Sequence, residues 1–171
     1  MDFNPQEIVS PGWWVAHTRP RREKLLAQHA LALGIQSRLP LRRSVRKYAG
    51  RSVSFECPVF PGYLFLTADS AGAQRLLPTG HVARLLQVAA FQCAELCDQL
   101  DAIELALREK AVLQLCPQIL PGIYVRIRYG AFRGTLAWVQ ERRGQTEVVL
   151  RVDIIGKGAC LEIEADALEP V

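Results

Sequence analysis

The 171-residue chain has three histidines and five cysteines, and neither set assembles a reactive site. His17, His29 and His81 share no motif with a nucleophile or with paired acids, so no catalytic constellation is expected. Cys57, Cys93, Cys97, Cys116 and Cys160 are odd in number and lack the paired C-x-x-C spacing of a zinc site. Cys93 and Cys97 are four apart on an expected helix, which points them to one face. Read as ordinary reduced thiols, the five fit the cytoplasm, and no metal or other cofactor is expected. Gly156-Lys157-Gly158 is without the spacing and the following Ser or Thr of a phosphate loop. No eighteen-residue apolar run is present, so no membrane span or membrane partner is expected. Met1 to Glu7 has neither the basic region nor the apolar core of a signal peptide. Half of the residues are hydrophobic, enough for a packed core in one medium domain or two small ones.

What is present is a charge imbalance. The net charge is only +4, but Arg19 to Arg51 holds ten Lys or Arg against one acid, Glu23, and carries +9. The rest of the chain carries −5. That asymmetry expects a polyanion-facing surface in the first half, with a solvated charged face as the plain alternative.

Cys57 to Thr67 is the most apolar and aromatic run of the first half. Pro58 and Pro61 keep its start extended, and Gly62 permits an unusual dihedral. Tyr63, Phe65 and Thr67 then alternate with Leu64 and Leu66, the period of a strand. Both faces are apolar or aromatic, which suits a central core strand or one whose second face meets a partner.

Before that run, Trp13 to Thr18 reads as a first strand. Pro20 is placed for the first turn of a helix carrying Leu25, Leu26, His29, Ala30 and Leu33, stopped by Gly34. Ile35 to Leu41 reads as extended. Arg42 to Phe55 reads as a basic hairpin with arms Ser44 to Tyr48 and Arg51 to Phe55. After the run come a short helix over Ala71 to Leu77 and a strand over His81 to Val88. A long helix is expected from Cys93 to Leu113, with Leu96, Leu100, Ile103 and Leu107 as its stripe. A linker is expected over 114–120. From 121 onward the pattern turns to strands over Tyr124 to Tyr129, Leu136 to Gln140, Glu147 to Ile155 and Ala159 to Glu164. Turns are expected at Gly130 to Gly134, at Arg142-Arg143-Gly144 and at Gly156-Lys157-Gly158, implying a small barrel.

Three of these stretches together resemble one family. Trp13 to Lys24 resembles the opening of a NusG-type N-terminal domain, Cys57 to Thr67 its "FPGY" strand, and Gly122 to Gly134 a KOW motif. They occur in family order across residues 12–171. The chain is therefore similar to the NusG/RfaH-like transcription elongation factors. Thr18-Arg19-Pro20-Arg21 and the basic hairpin resemble the specialised antiterminator paralogues, including UpxY-type regulators of capsule and exopolysaccharide operons.

The resemblance implies an α+β fold. A NusG N-terminal-type α/β sandwich with an antiparallel sheet (12–113) would be linked to a small, five-stranded KOW (SH3-like) β-barrel (121–171). It implies a non-enzymatic factor that binds the clamp helices of RNA polymerase, suppresses pausing or termination, and recruits a ribosomal protein or termination factor through the KOW domain. On that reading Trp14, Tyr63 and Phe65 face the polymerase. Leu96 and Leu100 either complete the patch or are plain core. Arg19, Arg21 and Arg22 lie near non-template DNA, a track that Arg42, Arg43, Arg46 and Lys47 extend. Phe132 and Ile155 mark the KOW partner surface.

There are departures from the family pattern. Ala137 stands where the family has a second glycine. Ile155 stands where housekeeping members carry an aromatic used by the termination factor. Ala71 to Arg75 lacks the polar triplet with which RfaH touches the polymerase. The β-branched run from Glu147 favours a barrel over a helical hairpin. A KOW-containing RNA-binding or ribosome-associated protein without a polymerase role remains the alternative.

Overall fold

The computed structural model describes residues 11–116, 122–142 and 145–171. In chain order the elements are β1 (Gly12–Thr18), α1 (Glu23–Ala32), β2 (Gln36–Arg38), β3 (Leu41–Tyr48), β4 (Arg51–Pro58), β5 (Tyr63–Ala68), α2 (Ser70–Gln74), β6 (Val82–Gln87) and α3 (Cys93–Arg108). Then follow β7 (Gln114–Cys116), β8 (Ile123–Ile127), β9 (Leu136–Arg142), β10 (Gln145–Val152), β11 (Lys157–Glu162) and β12 (Leu168–Pro170). The fold is α+β with antiparallel sheets. Two compact units divide the chain: Met1–Leu39 with Gly62–Cys93, and Pro40–Pro61 with Ala94–Val171.

The first unit is built on a sheet in the order β2-β5-β1-β6, antiparallel throughout. Trp14 and Ala16 of β1, and Leu64, Leu66 and Ala68 of β5, form one core with Leu26 and Ala30 of α1. The helix stops as its sequence predicts. Gly34 takes φ +72°, its N–H bonds to Leu31 O at 3.0 Å, and Ile35 N–H reaches back to Ala30 O at 2.8 Å. This pair of bonds satisfies the last carbonyls, and glycine takes the left-handed position without a Cβ clash. The helix start differs from expectation. Pro20 lies in a turn closed by Arg22 N–H to Arg19 O at 3.1 Å, and α1 begins at Glu23. Proline's fixed φ suits the second position of a turn as well as a first helical turn.

In the second unit, β3 and β4 form a two-stranded hairpin from Leu41↔Pro58 to Tyr48↔Arg51, three residues longer at its base than the expected arms. Helix α3 ends at Arg108 rather than running to Leu113. Lys110 at φ +56° takes the position that glycine takes after α1, with Ala111 N–H on Ala106 O at 2.9 Å. Leu96, Leu100, Ile103 and Ala106 are its buried side.

Six strands in the order β12-β8-β9-β10-β11-β7 make the second sheet. Gln114–Cys116, expected as linker, is its edge strand β7, paired with β11. The rest of the expected linker and the turn at Arg143-Gly144 lie outside the described residues. Val148, Val149, Leu150 and Val152 are all buried, so β10 is covered on both faces, as a central strand should be. The expected strand to Ile155 stops at Val152. A 3-10 turn, Asp153–Ile155, follows, and Gly156 at φ +62° reverses the chain into β11. Among the described residues no helix is long and apolar enough to cross a membrane.

Candidate functional site

Arg19, Arg21 and Arg22 lie on the turn between β1 and α1, and all three are exposed. The turn is pinned at both ends: Arg19 N–H bonds His81 O at 2.8 Å, and Leu26 N–H bonds Arg22 O at 2.9 Å. Arg21 holds φ +60°, an unusual conformation for a branched-free but bulky side chain. Behind the turn, the rings of His29 and His81 lie 5.0 Å apart. The pKa of His81 is lowered, first by desolvation and then by the neighbouring His29 and Arg22. Among the described residues no group of three or more His, Cys, Asp or Glu is placed to hold a metal.

Glu23 and Gly62 join this turn to the start of β5. Glu23 is buried, and its Oε1 accepts the Gly62 N–H at 2.7 Å. The Gly62 carbonyl accepts Thr18 N–H at 2.8 Å. Gly62 has φ +88°, and a Cβ there would lie 3.5 Å from the His17 ring. His17 in turn stacks on Tyr63, centroids 5.1 Å apart and planes 21° from parallel. Sequence reasoning singled out Gly62 but missed Glu23 and His17. The signal for Glu23 was its isolation: it is the one acid among ten cations.

The five apolar candidates separate. Antiparallel partners share a sheet face, and the register is Trp14↔Leu66, Val15↔Phe65 and His17↔Tyr63. Trp14 therefore lies on the α1 side, opposite Tyr63 and Phe65, and its indole N–H bonds Ala68 O at 3.0 Å. Its grouping with Tyr63 and Phe65 is corrected: Trp13, Val15 and His17 are the β1 residues on their face. Phe65 is fully buried and Tyr63 half-buried. Leu96 and Leu100, on α3 in the other unit, are also buried.

The hairpin also has two faces. Arg43, Val45 and Lys47 share one with Ser52, Ser54 and Glu56; Arg42, Ser44, Arg46 and Tyr48 share the other with Arg51, Val53, Phe55 and Cys57. On the first, Arg43 Nε donates to Ser54 Oγ at 2.6 Å. On the second, the Arg46 guanidinium lies 5.2 Å from the Phe55 ring centre and donates to Tyr48 Oη at 3.5 Å, a contact that raises the Arg46 pKa. Arg42 is half-buried; Arg43, Arg46 and Lys47 are exposed. The hairpin thus presents four of the expected cations, three of them exposed and one half-buried.

On the second sheet, Phe132 and Ile155 are both half-buried, Phe132 in the turn before β9 and Ile155 in the turn after β10. Near Ile155, Asp153 is held from two sides. Gln99 of α3 donates to its carboxylate at 2.6 Å and accepts its backbone N–H at 3.0 Å, and Arg151 pairs with it at 2.8 Å. Arg151 also stands 4.5 Å over the Trp138 ring, which packs 4.8 Å from Tyr124. The sequence reading did not single out this cluster, because no spacing rule links α3 to a turn 54 residues later.

A family profile described as "NusG: Transcription termination factor nusG" matches residues 11–99, more than half of the chain. No curated protein matches significantly in sequence. Among solved structures, "Domain interaction in Thermotoga maritima NusG" superposes with a TM-score of 0.53 at 16% identity, covering 94% of this chain and 97% of that one, a likeness of fold. A second, "Crystal Structure of MjSpt4:Spt5 complex conformation B", covers 93% of this chain and 96% of that one at 17% identity, with a TM-score of only 0.27. The matched residues contain the whole four-stranded sheet, the Arg19–Arg22 turn and the Gly62 junction, and on that match the chain belongs to the NusG family of transcription factors.

Proposed function

We propose that this protein is a non-enzymatic elongation factor of the specialised, antiterminating kind that docks on the clamp helices of RNA polymerase. The Tyr63 side of the four-stranded sheet makes that contact. Arg19, Arg21, Arg22 and the β3–β4 hairpin face non-template DNA. The second sheet, a KOW-type domain, recruits a ribosomal protein or a termination factor through Phe132 and Ile155. Binding the active polymerase better than the paused one would bias it against pausing.

The observation that carries the reading is that β5 is apolar on both faces. Leu64 and Leu66 fill the core on the α1 side; on the second face Val15 and Phe65 are buried as well, and the half-buried Tyr63, stacked on the exposed His17, stands beside them. Aromatic residues at the edge of an apolar floor are suited to anchor an interface. A polymerase contact that includes Phe65, Leu96 and Leu100 must first expose them.

The test is a pull-down on purified core polymerase together with a pause assay. Wild type should be retained and shorten the pause; Tyr63→Ala, with an unchanged melting curve, should lose most of both. Equal retention of the two proteins would show that the Tyr63 face is not the docking surface. If RNA is retained and polymerase is not, the RNA-binding alternative replaces this reading.

A further inference from the structure

His29 and His81 meet from two elements of the first unit, α1 and the residue that precedes β6. Their ring centres lie 5.0 Å apart, and the planes are tilted by 55° rather than stacked flat. Two imidazoles bound to one tetrahedral ion through nitrogens about 2.0–2.1 Å away have ring centres roughly 5 Å apart, so the spacing matches that of rings sharing a metal. One of the two rings already has its tautomer set. His29 Nδ1–H donates to Leu25 O at 2.9 Å, which leaves the Nε2 lone pair for a further bond. His81 is held by its backbone: its N–H donates to Thr79 Oγ1 at 3.3 Å, and its carbonyl accepts Arg19 N–H at 2.8 Å. His29 is exposed and His81 half-buried, so water can reach the pair and fill the remaining positions of an ion. Arg22 is close enough to disfavour positive charge on His81. That keeps the ring neutral, as a ligand must be, but it also weakens the hold on a dication.

We propose that His29 and His81 form a two-histidine site for a divalent transition-metal ion of the zinc, nickel or copper type, with water as its other ligands. Imidazole nitrogen suits these ions, whereas magnesium and calcium take oxygen ligands. Among the described residues no third His, Cys, Asp or Glu joins the pair, so the site takes its ion reversibly and is not a closed structural centre. A bound ion ties α1 to the start of β6 and adds positive charge behind the Arg19–Arg22 turn.

Nickel or zinc chloride, titrated into the full, untagged and chelator-treated chain, tests the site. The chain has three histidines, so every imidazole can be followed by NMR. Substoichiometric nickel, a paramagnetic ion, should broaden the ring signals of His29 and His81 together and leave His17 sharp. Calorimetry should show a single nickel or zinc ion bound, and no heat with magnesium or calcium. His29→Gln and His81→Gln should each weaken binding at least about tenfold, since the loss of even a group that merely orients a ligand costs that much. Arg22→Gln, which removes the nearby cation, should tighten it. Zinc should raise the melting temperature of wild type with increasing concentration and leave that of His29→Gln unchanged. His29 is exposed on α1, so this variant keeps the fold even if His81→Gln does not. Cys93 and Cys97 are the other soft donors within one helical turn, and the double variant Cys93→Ser, Cys97→Ser should bind as wild type does. Equal broadening of all three histidines, unchanged affinity in His29→Gln, or loss of binding in the cysteine variant overturns the two-histidine site, as does the absence of binding by both ions.

Discussion

Glu23 Oε1 lies 2.7 Å from the backbone N–H of Gly62, and this bond joins the first turn of α1 to the residue that opens β5. Two backbone bonds reinforce the junction: Gly62 O accepts Thr18 N–H at 2.8 Å, and His81 O accepts Arg19 N–H at 2.8 Å. The Arg19–Arg22 turn is therefore fixed with respect to the Tyr63 strand. Glu23→Ala leaves the half-buried Gly62 donor without its charged partner and should destabilise the protein by about 1–3 kcal/mol. Glu23→Gln keeps an acceptor oxygen and should cost less. Urea denaturation of the three proteins measures the order, and equal midpoints would deny the bond a structural role.

Gly158 tests the second sheet. A Cβ there would stand 2.6 Å from Val149 Cγ1 and 3.0 Å from Leu150 O. Val149 is buried with Cys160 and Trp138 and has little room to yield. Gly158→Ala should lower stability by about 1–3 kcal/mol, the usual penalty of overpacking. Thermal melts followed by tryptophan fluorescence would register it through Trp138, and an unchanged melt would mean that the strand shifts freely.

The end of α3 can be improved. Lys110 holds φ +56° to close the helix, where a side chain is disfavoured. Lys110→Gly should raise stability by about 0.5–1 kcal/mol, because the relief of strain exceeds glycine's extra freedom in the unfolded chain. A fall in the denaturation midpoint would count against the cap.

His81 makes stability depend on pH in a definite direction. Its folded pKa lies below the ordinary histidine value near 6.5, chiefly through desolvation and then through His29 and Arg22. The unfolded chain then takes up the proton first. The stabilisation is complete above about pH 6.5 and is lost as the pH falls through that value towards the depressed folded pKa. His81→Gln should flatten the stability profile between neutral and mildly acid pH. A profile as steep as wild type would assign the acid sensitivity elsewhere.

The strand character of Tyr63 to Thr67 and the helix stop at Gly34 were legible because alternation and glycine are local signals. What escaped the sequence is what depends on a distant partner. Trp14 and Trp13 are adjacent and equally aromatic, and only the pairing Trp14↔Leu66 decides that Trp14 belongs to the α1-side core. Gln114–Cys116 has no strand pattern of its own, and its three residues become β7 because β11 offers an unpaired edge. The stop of α3 was invisible for another reason: Lys110 occupies a left-handed position with no compositional mark. The basic residues were legible as a run, but their division into an aromatic face and a plain face required the hairpin register.

The inward turn of Glu23 also bears on how fast the protein finds its target. It is the only acid between Arg19 and Arg51, and its carboxylate is occupied with a backbone amide. No acid of that segment is therefore turned outward, and the field it projects into solution is of one sign. A field of that kind gathers polyanions from beyond contact distance and raises the rate of encounter, an effect that fades within about 8 Å at physiological ionic strength. A buried bond that holds the fold thereby also leaves the cations of its own segment without an outward-facing acid among them.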